Sequence, residues 1–181
     1  LKRVGEGAGM KVRAELTDMN QPLGRAVGNA LEVEESIQCL KGEGPQDLSN
    51  LICRLIGDPK AKDLLSSGQA LSRFERMVFA QGGDLSRPFQ GQGCKELVFE
   101  APHDGVVTHC DAYNIGMAAF VLGAGRSQAS LPIHHGVGIW VDAKCKDQVV
   151  KGQPLARIKY AAKGLDACLD YLNKAYTIQP N

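Results

Sequence analysis

The sequence predicts a mixed fold of helices and strands, of the α/β or α+β class, and three observations favour it. Residues 11–19 alternate apolar and charged side chains, which is the period of a strand with one buried face. Residues 99–160 contain short β-branched runs on both sides of a segment with helical spacing. Apolar residues repeat at helical spacing over residues 165–175. The 181 residues, 44% hydrophobic and 23% charged, are sufficient for a buried core and typical of a soluble globular protein.

The N-terminal residues predict a turn, then the strand, then a loop and a helix. Glycines at positions 5, 7 and 9 indicate a helix end and turn, because a phosphate loop would need Gly-Lys-Ser/Thr opening a helix. The strand ends in a loop at residues 17–22, a place where α/β folds bind ligands. The helix begins near Ala30 and stops at Gly42. Glutamates at positions 32, 34 and 35 suit its first turn, where carboxylates favour the helix dipole.

Residues 42–84 predict surface helices. One begins at Pro45 and carries its apolar residues at positions 48, 51, 52 and 55, and another begins near Ala70. Residues 57–59, Gly-Asp-Pro, break the first of them. The short connection around Asp58 predicts a chain break or an irregular link at that point.

The C-terminal part predicts strands interrupted by one helix. Strands are expected at residues 106–108, 139–141 and 155–158, with a hairpin or compact loop over residues 146–154. Ile115, Ala118, Ala119 and Leu122 share a helical face, and the glycines at 123 and 125 end that helix. A closing helix over residues 165–175 and a short strand at 177–178 complete the chain.

Composition and charge exclude several functions. A net charge of +1 with scattered Lys and Arg indicates no basic surface patch of the kind that binds nucleic acid. The longest apolar run, near residues 117–122, is too short for a bilayer, and no secretory signal follows Leu1, so we expect a cytoplasmic protein without membrane contact. Six cysteines without C-x-x-C spacing predict reduced thiols rather than disulfides or a zinc site.

The sequence suggests no catalytic and no substrate-binding residue. His134 and His135 are adjacent and would face opposite sides of a strand, so they cannot chelate one ion, and an exposed turn is expected. His103 precedes the Asp104-Gly105 turn and is expected to be exposed as well. Arg126 is expected to be a surface residue at a helix end.

Two sets of motifs, in this order, resemble the pyrimidine-nucleoside and thymidine phosphorylase family. The first is LTDMNQPLGRAVGNALEVEE at residues 16–35, and the resemblance continues at residues 67–70 and 74–84. The second set covers the C-terminal part, where the matching residues are 101–102 (AP), 104–107 (DGVV), 116–118 (GMA), 122–126 (LGAGR), 137–138 (VG) and 149–155 (VVKGQPL).

This resemblance implies a particular architecture and reaction. Residues 1–84 would be the C-terminal remnant of the central α/β domain, 85–93 a linker, and 94–181 an α/β-hammerhead, a barrel-sandwich domain with a closing helix. The full-length enzyme would be a homodimer that uses phosphate as co-substrate to cleave pyrimidine (deoxy)nucleosides into base and (deoxy)ribose 1-phosphate. Because the chain starts at Leu1 and lacks the family's phosphate and base motifs, we expect a scaffold fragment that is inactive alone.

The resemblance also implies a structural potassium ion and no other cofactor. Its ligands in this chain would be the backbone carbonyls of Leu23 and Ala26 and the side chain of Glu35. Oxygen ligands suit a hard cation. The family's remaining ligands come from a glycine loop that this sequence lacks.

Two alternatives stay open at the sequence level. Residues 149–155 also resemble the hairpin of biotinyl and lipoyl carrier domains, for which Lys144, between Ala143 and Cys145, would be the nearest candidate lysine. The flanking methionines of such carriers are missing, and the lysine lies in the wrong half of the unit. A non-catalytic interaction module is the other alternative.

Overall fold

The computed structural model describes residues 1–86, 93–126, 128 and 130–180. The described helices are α1 (Lys2–Gly7), α2 (Asn29–Leu40), α3 (Gln46–Ile56), α4 (Ala61–Ser66), α5 (Gln69–Ala80), α6 (Ala112–Ala119) and α7 (Leu165–Ala175), with a π-helical turn at Phe120–Ala124. The described strands are β1 (Ala26–Val27), β2 (Lys95–Glu100), β3 (Gly105–Cys110), β4 (Gly138–Val141), β5 (Gln148–Val149), β6 (Pro154–Tyr160) and β7 (Tyr176–Gln179). The predicted mixed α/β class is therefore confirmed at the level of helices combined with antiparallel sheet.

The strands form two antiparallel sheets. One has the order β1-β4-β6-β2 and the other the order β5-β3-β7. Helix α6 lies between β3 and β4 in the chain, as the change of period at residue 115 predicted, and Gly123 ends the helical segment with a φ of 105° that favours glycine. Helix α7 closes the unit and is followed directly by β7.

One hydrophobic core lies between these sheets and the helices α6 and α7. Its largest fully buried side chains come from the C-terminal part of the chain: Val107, Cys110, Ile115, Leu122, Val137, Ile139, Val141, Leu155, Ile158, Cys168 and Leu172. By contrast, none of the residues of α3 and α5 is buried, although each helix presents an apolar face. These two helices therefore match the predicted surface helices.

Two predictions for the N-terminal part are wrong. Residues 11–19 form no strand, and the side chain of Leu16 is fully exposed at 102%. A strand is stable only when its backbone groups are paired, and the described residues offer this segment no partner strand. The connection at Asp58 is also regular: Gly57 adopts the left-handed conformation, and the carbonyl of Asp58 accepts a hydrogen bond from the N–H of Ala61.

A short strand from the N-terminal half joins the C-terminal sheet. In β1, Ala26 lies opposite Trp140 and Val27 opposite Ile139 of β4. Gly28 and Gly138 approach so closely that a Cβ on either would collide with the backbone of the other segment. The predicted division into domains 1–84 and 94–181 stays a prediction, and residues 87–92 of the predicted linker lie outside the described residues.

Candidate functional site

The three residues predicted to bind a cation line one cavity. Leu23, Ala26 and Glu35 surround a space of about 380 Å³, together with residues of α2 and α3. A larger groove of about 980 Å³ follows α5, but its lining residues include none of the predicted site residues. Of the three predicted residues, Leu23 lies in the turn before β1, Ala26 lies in β1, and Glu35 lies in α2, and the chain reversal between β1 and α2 brings them to the same cavity.

Glu35 is buried and binds the turn directly. Its side chain is on the inner face of α2, and the residue is 3% exposed. One carboxylate oxygen accepts hydrogen bonds from the N–H of Arg25 at 2.7 Å and of Ala26 at 3.1 Å. Burial raises the pKa of Glu35, and the two backbone hydrogen bonds partly oppose that rise. The carboxylate of Glu35 therefore connects α2 to the turn, and its burial disfavours the charged form.

The glycine at position 24 is required where the turn approaches this carboxylate. Gly24 has a φ of 68°, in the left-handed region, and a Cβ there would collide with the second oxygen of Glu35. The small residues that the sequence shows at 24 and 28 thus have a physical role at the site.

A second carboxylate and a lysine complete the polar cluster. The ammonium group of Lys144 donates to the carbonyl of Pro22 at 2.8 Å and to the carboxylate of Asp47, which also accepts from the N–H of Gly24 at 3.3 Å. Burial alone would raise the pKa of Asp47. The hydrogen bond and charge of Lys144, together with backbone N–H groups, outweigh burial and lower it.

Arg25 fixes the turn to the C-terminal sheet. Its guanidinium donates to the carbonyls of Val141 at 3.0 Å and Asp142 at 2.6 Å, and the N–H of Val141 donates to the carbonyl of Arg25 at 2.7 Å. Asp142 in turn binds Arg157 through two hydrogen bonds of 2.9 and 2.8 Å. The segment that carries Leu23 and Ala26 is therefore held by backbone groups of the C-terminal part of the chain.

The other residues considered from the sequence lie elsewhere. His103, His134 and His135 are exposed, as predicted, and Arg126 is also exposed. Among the described residues no group of three His, Cys, Asp or Glu side chains is placed to hold a metal ion, so any cation here depends on backbone oxygens. No helix in the described ranges is both long and apolar enough to cross a membrane.

Sequence reasoning missed three members of the cluster. Along the chain, Asp47 follows Arg25 by 22 residues and Lys144 follows Asp47 by 97 residues. No spacing motif connects the three. Asp47 lies in the first turn of α3, where a carboxylate favours the helix dipole and needs no further partner, and Lys144 was considered only as a carrier lysine. The one available signal was Lys144 lying in the turn after a predicted strand of the C-terminal unit.

The donor set fits the cation that the resemblance implies. It consists of oxygen atoms, includes a buried carboxylate, and is held by a turn whose peptide groups are fixed on several sides. Backbone carbonyls of Leu23 and Ala26, with Glu35, would supply the ligands from this chain.

Comparisons with known proteins agree with the motifs. Residues 106–179 match the family model described as pyrimidine nucleoside phosphorylase C-terminal domain. The thymidine phosphorylase of Mycobacterium tuberculosis is 42% identical over 163 residues, which cover 84% of this chain and 38% of that protein. The pyrimidine-nucleoside phosphorylase of Staphylococcus epidermidis is 35% identical over an alignment of 196 residues, which covers 98% of this chain and 45% of that protein. The chain thus spans less than half the length of these relatives.

Proposed function

We propose that this chain, which belongs to the pyrimidine-nucleoside phosphorylase family, is the C-terminal portion of an enzyme that cleaves pyrimidine nucleosides with phosphate. The observation that carries the proposal is the combined similarity: one family model covers residues 106–179, and relatives with this activity in their names align over 84–98% of the chain. The products would be the free base and (deoxy)ribose 1-phosphate.

In this proposal the chain supplies scaffold and cation ligands rather than reacting groups. To stabilise the leaving group and the phosphate, an enzyme needs hydrogen-bond donors or cations directed at the charge that develops in the transition state. The exposed histidines and Arg126 do not converge with the cavity beside Glu35. The reactive groups would therefore lie in the part of the relatives that this chain does not span, and a hammerhead arrangement, homodimer formation and a cytoplasmic location belong to the same proposal.

A potassium ion bound by Leu23, Ala26 and Glu35 would have a structural role. It would neutralise the buried carboxylate and hold the two carbonyls of the turn. The residues of this chain keep the turn in place through Arg25, Asp47 and Lys144.

A chimera tests the proposal. The segment of the Mycobacterium tuberculosis thymidine phosphorylase that precedes the aligned region is fused to residue 1, and phosphate-dependent release of thymine from thymidine is measured beside the chain alone. We expect turnover from the chimera and none from the chain alone. Thymine release by the chain alone contradicts the scaffold role, and a folded chimera that binds neither phosphate nor thymidine contradicts the family reaction.

The carrier alternative is disfavoured by the position of its lysine. Lys144 is 9% exposed and hydrogen-bonded to Pro22 and Asp47, whereas a modified carrier lysine must be accessible at a hairpin tip. Intact-mass measurement of the protein purified from its source is expected to show no lysine adduct. A biotinyl or lipoyl adduct on Lys144 would support the carrier function instead.

A further inference from the structure

We propose that the first half of this chain carries the surface on which the preceding portion of the enzyme docks, and that residues 11–19 become a strand at the edge of a sheet which that portion supplies. The docking surface consists of residues 11–19 together with the uncovered apolar faces of α3 and α5. This inference rests on the proposed function, because it names the rest of the enzyme as the partner of this surface.

Exposed apolar side chains are concentrated in the first half of the chain. Among the described residues, thirteen large apolar side chains before residue 87 are exposed, against four after it, although the two parts are similar in length. The C-terminal part therefore covers its own apolar residues, whereas the first half does not. Apolar surface that is grouped in this way marks an interaction site.

Helices α3 and α5 have amphipathic sequences but bury no residue. On α5, Phe79 is 81% exposed, and it lines the groove of about 980 Å³ with Met77 and Leu40. On α3, Leu55 and Ile56 are exposed at the end of the helix. Helices in proteins are stabilised mainly by packing of an apolar face against another element. Within the described residues, these faces lack the surface for which their sequences are suited.

Residues 11–19 show the same contrast within one segment. Among the charged side chains of the alternating pattern, Glu15 has a partner, because it forms an ion pair of 2.8 Å with Arg54 of α3. Among the apolar ones, Val12 is half-buried and Leu16 is fully exposed. The segment is therefore attached to α3 through its charged side chains, and much of its apolar side remains uncovered.

The backbone of residues 11–19 is also unpaired. Within the described part of the chain, none of its N–H or C=O groups forms a hydrogen bond with another backbone group. Its C-terminal end is fixed, because the carbonyl of Asn20 accepts a hydrogen bond from the N–H of Ala112 at 3.0 Å. A segment with strand alternation and free backbone groups can add to the edge of another sheet through main-chain hydrogen bonds. The partner therefore has to supply a strand edge with an apolar surface beside it.

The preceding portion of the enzyme is the occupant that fits this surface. The chain covers 38% of the Mycobacterium tuberculosis relative and 45% of the Staphylococcus epidermidis relative, so most of each relative lies outside the alignment. The family model that matches residues 106–179 describes a C-terminal domain, which places the remainder before the aligned region. Residue 1 lies ten residues before the unpaired segment, so that remainder would join the chain next to the docking surface.

Charged substitutions compare the docked and undocked states. An aspartate at an exposed position changes stability little, whereas a buried unpaired charge is strongly destabilising. We expect L16D and F79K to change the Tm of the chain alone by less than about 1 °C, and to lower the Tm of the chimera described above by about 5 °C or more. V150D is the matched control, because Val150 is exposed in the C-terminal part, outside the docking surface, and it is expected to have no effect in either protein.

Hydrogen–deuterium exchange measured by mass spectrometry reports on the strand itself. In the chain alone, the unbonded amides of residues 11–19 are expected to exchange as fast as those of an unstructured peptide. In the chimera they are expected to exchange at least about a hundredfold more slowly, because sheet hydrogen bonds protect them. This comparison uses unsubstituted proteins, so it decides the inference even if the L16D chimera does not fold.

Contrary results separate this inference from the proposed function. A chimera that releases thymine while residues 11–19 exchange as fast as in the chain alone overturns the docking surface and leaves the family reaction standing. A folded, inactive chimera in which residues 11–19 are protected and L16D is destabilising supports the docking surface and contradicts the reaction. If the chain alone sediments as a dimer in which residues 11–19 are protected, a second copy is the occupant and this proposal is wrong.

Discussion

Replacing Glu35 by alanine tests the connection between α2 and the turn of the candidate site. The variant removes the acceptor of two backbone hydrogen bonds, from Arg25 at 2.7 Å and Ala26 at 3.1 Å. A hydrogen bond to a charged acceptor contributes about 1.5–3 kcal/mol, so two such bonds are worth about 3–6 kcal/mol. Part of that is offset because the variant no longer buries a carboxylate, and we expect a net loss of about 2–4 kcal/mol in the free energy of unfolding.

Urea denaturation followed by tryptophan fluorescence measures this loss. Trp140 is the single tryptophan and lies opposite Ala26 in the sheet, so its emission reports on the segment that Glu35 holds. E35Q keeps one oxygen acceptor and is expected to lose about 1–2 kcal/mol. E34A, a change on the neighbouring position of the same helix, serves as the matched control. A loss in E35A below about 0.5 kcal/mol, or equal to that of E34A, would refute the assigned contacts.

Three further predictions concern the sheet and core. R25A removes the guanidinium bonds to two β4-side carbonyls and is expected to cost about 1–3 kcal/mol and to accelerate amide exchange in β1, whereas equal exchange in both proteins argues against this anchor. Y176F removes a buried hydroxyl whose single proton is shared between two carbonyls and is expected to cost about 1–2 kcal/mol by urea denaturation; an unchanged midpoint contradicts it. Burial raises the pKa of Cys168 to about 12, above the ordinary 9.0 of an unfolded thiol, so the folded chain keeps a proton that the unfolded chain loses. The free energy of unfolding should fall as pH rises from 9 towards 12, by about 1.4 kcal/mol per pH unit for this thiol, and C168A should lack that part of the slope.

Local pattern predicted the C-terminal elements well. The closing helix was expected at residues 165–175 and is found at Leu165–Ala175. The expected strand at 139–141 lies within Gly138–Val141, and the helix whose face includes Ile115 begins at Ala112, directly after the capping Asp111. These elements bury one face in a common core, so their hydrophobic periodicity is imposed by the same contacts that stabilise them.

The same reasoning failed at residues 11–19. The alternation there is as regular as in a true strand, yet Leu16 is exposed and the segment is unpaired within the described residues. The alternation of apolar and charged side chains predicts which face of a strand would be buried. It does not show that a second strand is present to accept and donate the backbone hydrogen bonds. Pairing depends on a second strand, which is a property of the assembled chain.

The candidate site was predicted in part. Leu23, Ala26 and Glu35 were named together from the resemblance, and the structure brings them around one cavity, although cation binding itself stays a prediction. Their chemistry alone would not have identified them, because two of the three act through backbone oxygens that every residue carries.

The sequence by itself determined the mixed class, the family resemblance, and the helices and most strands of the C-terminal core, because these depend on local periodicity and on motif order; strand β2 was not predicted. Tertiary structure alone decided that Lys144 and Asp47 meet beside Pro22, 97 residues apart, and that β1 joins the sheet of the C-terminal part. A buried charge has to find its partner in space rather than in sequence. The stability of such a pair depends on burial and distance, which only the folded chain defines.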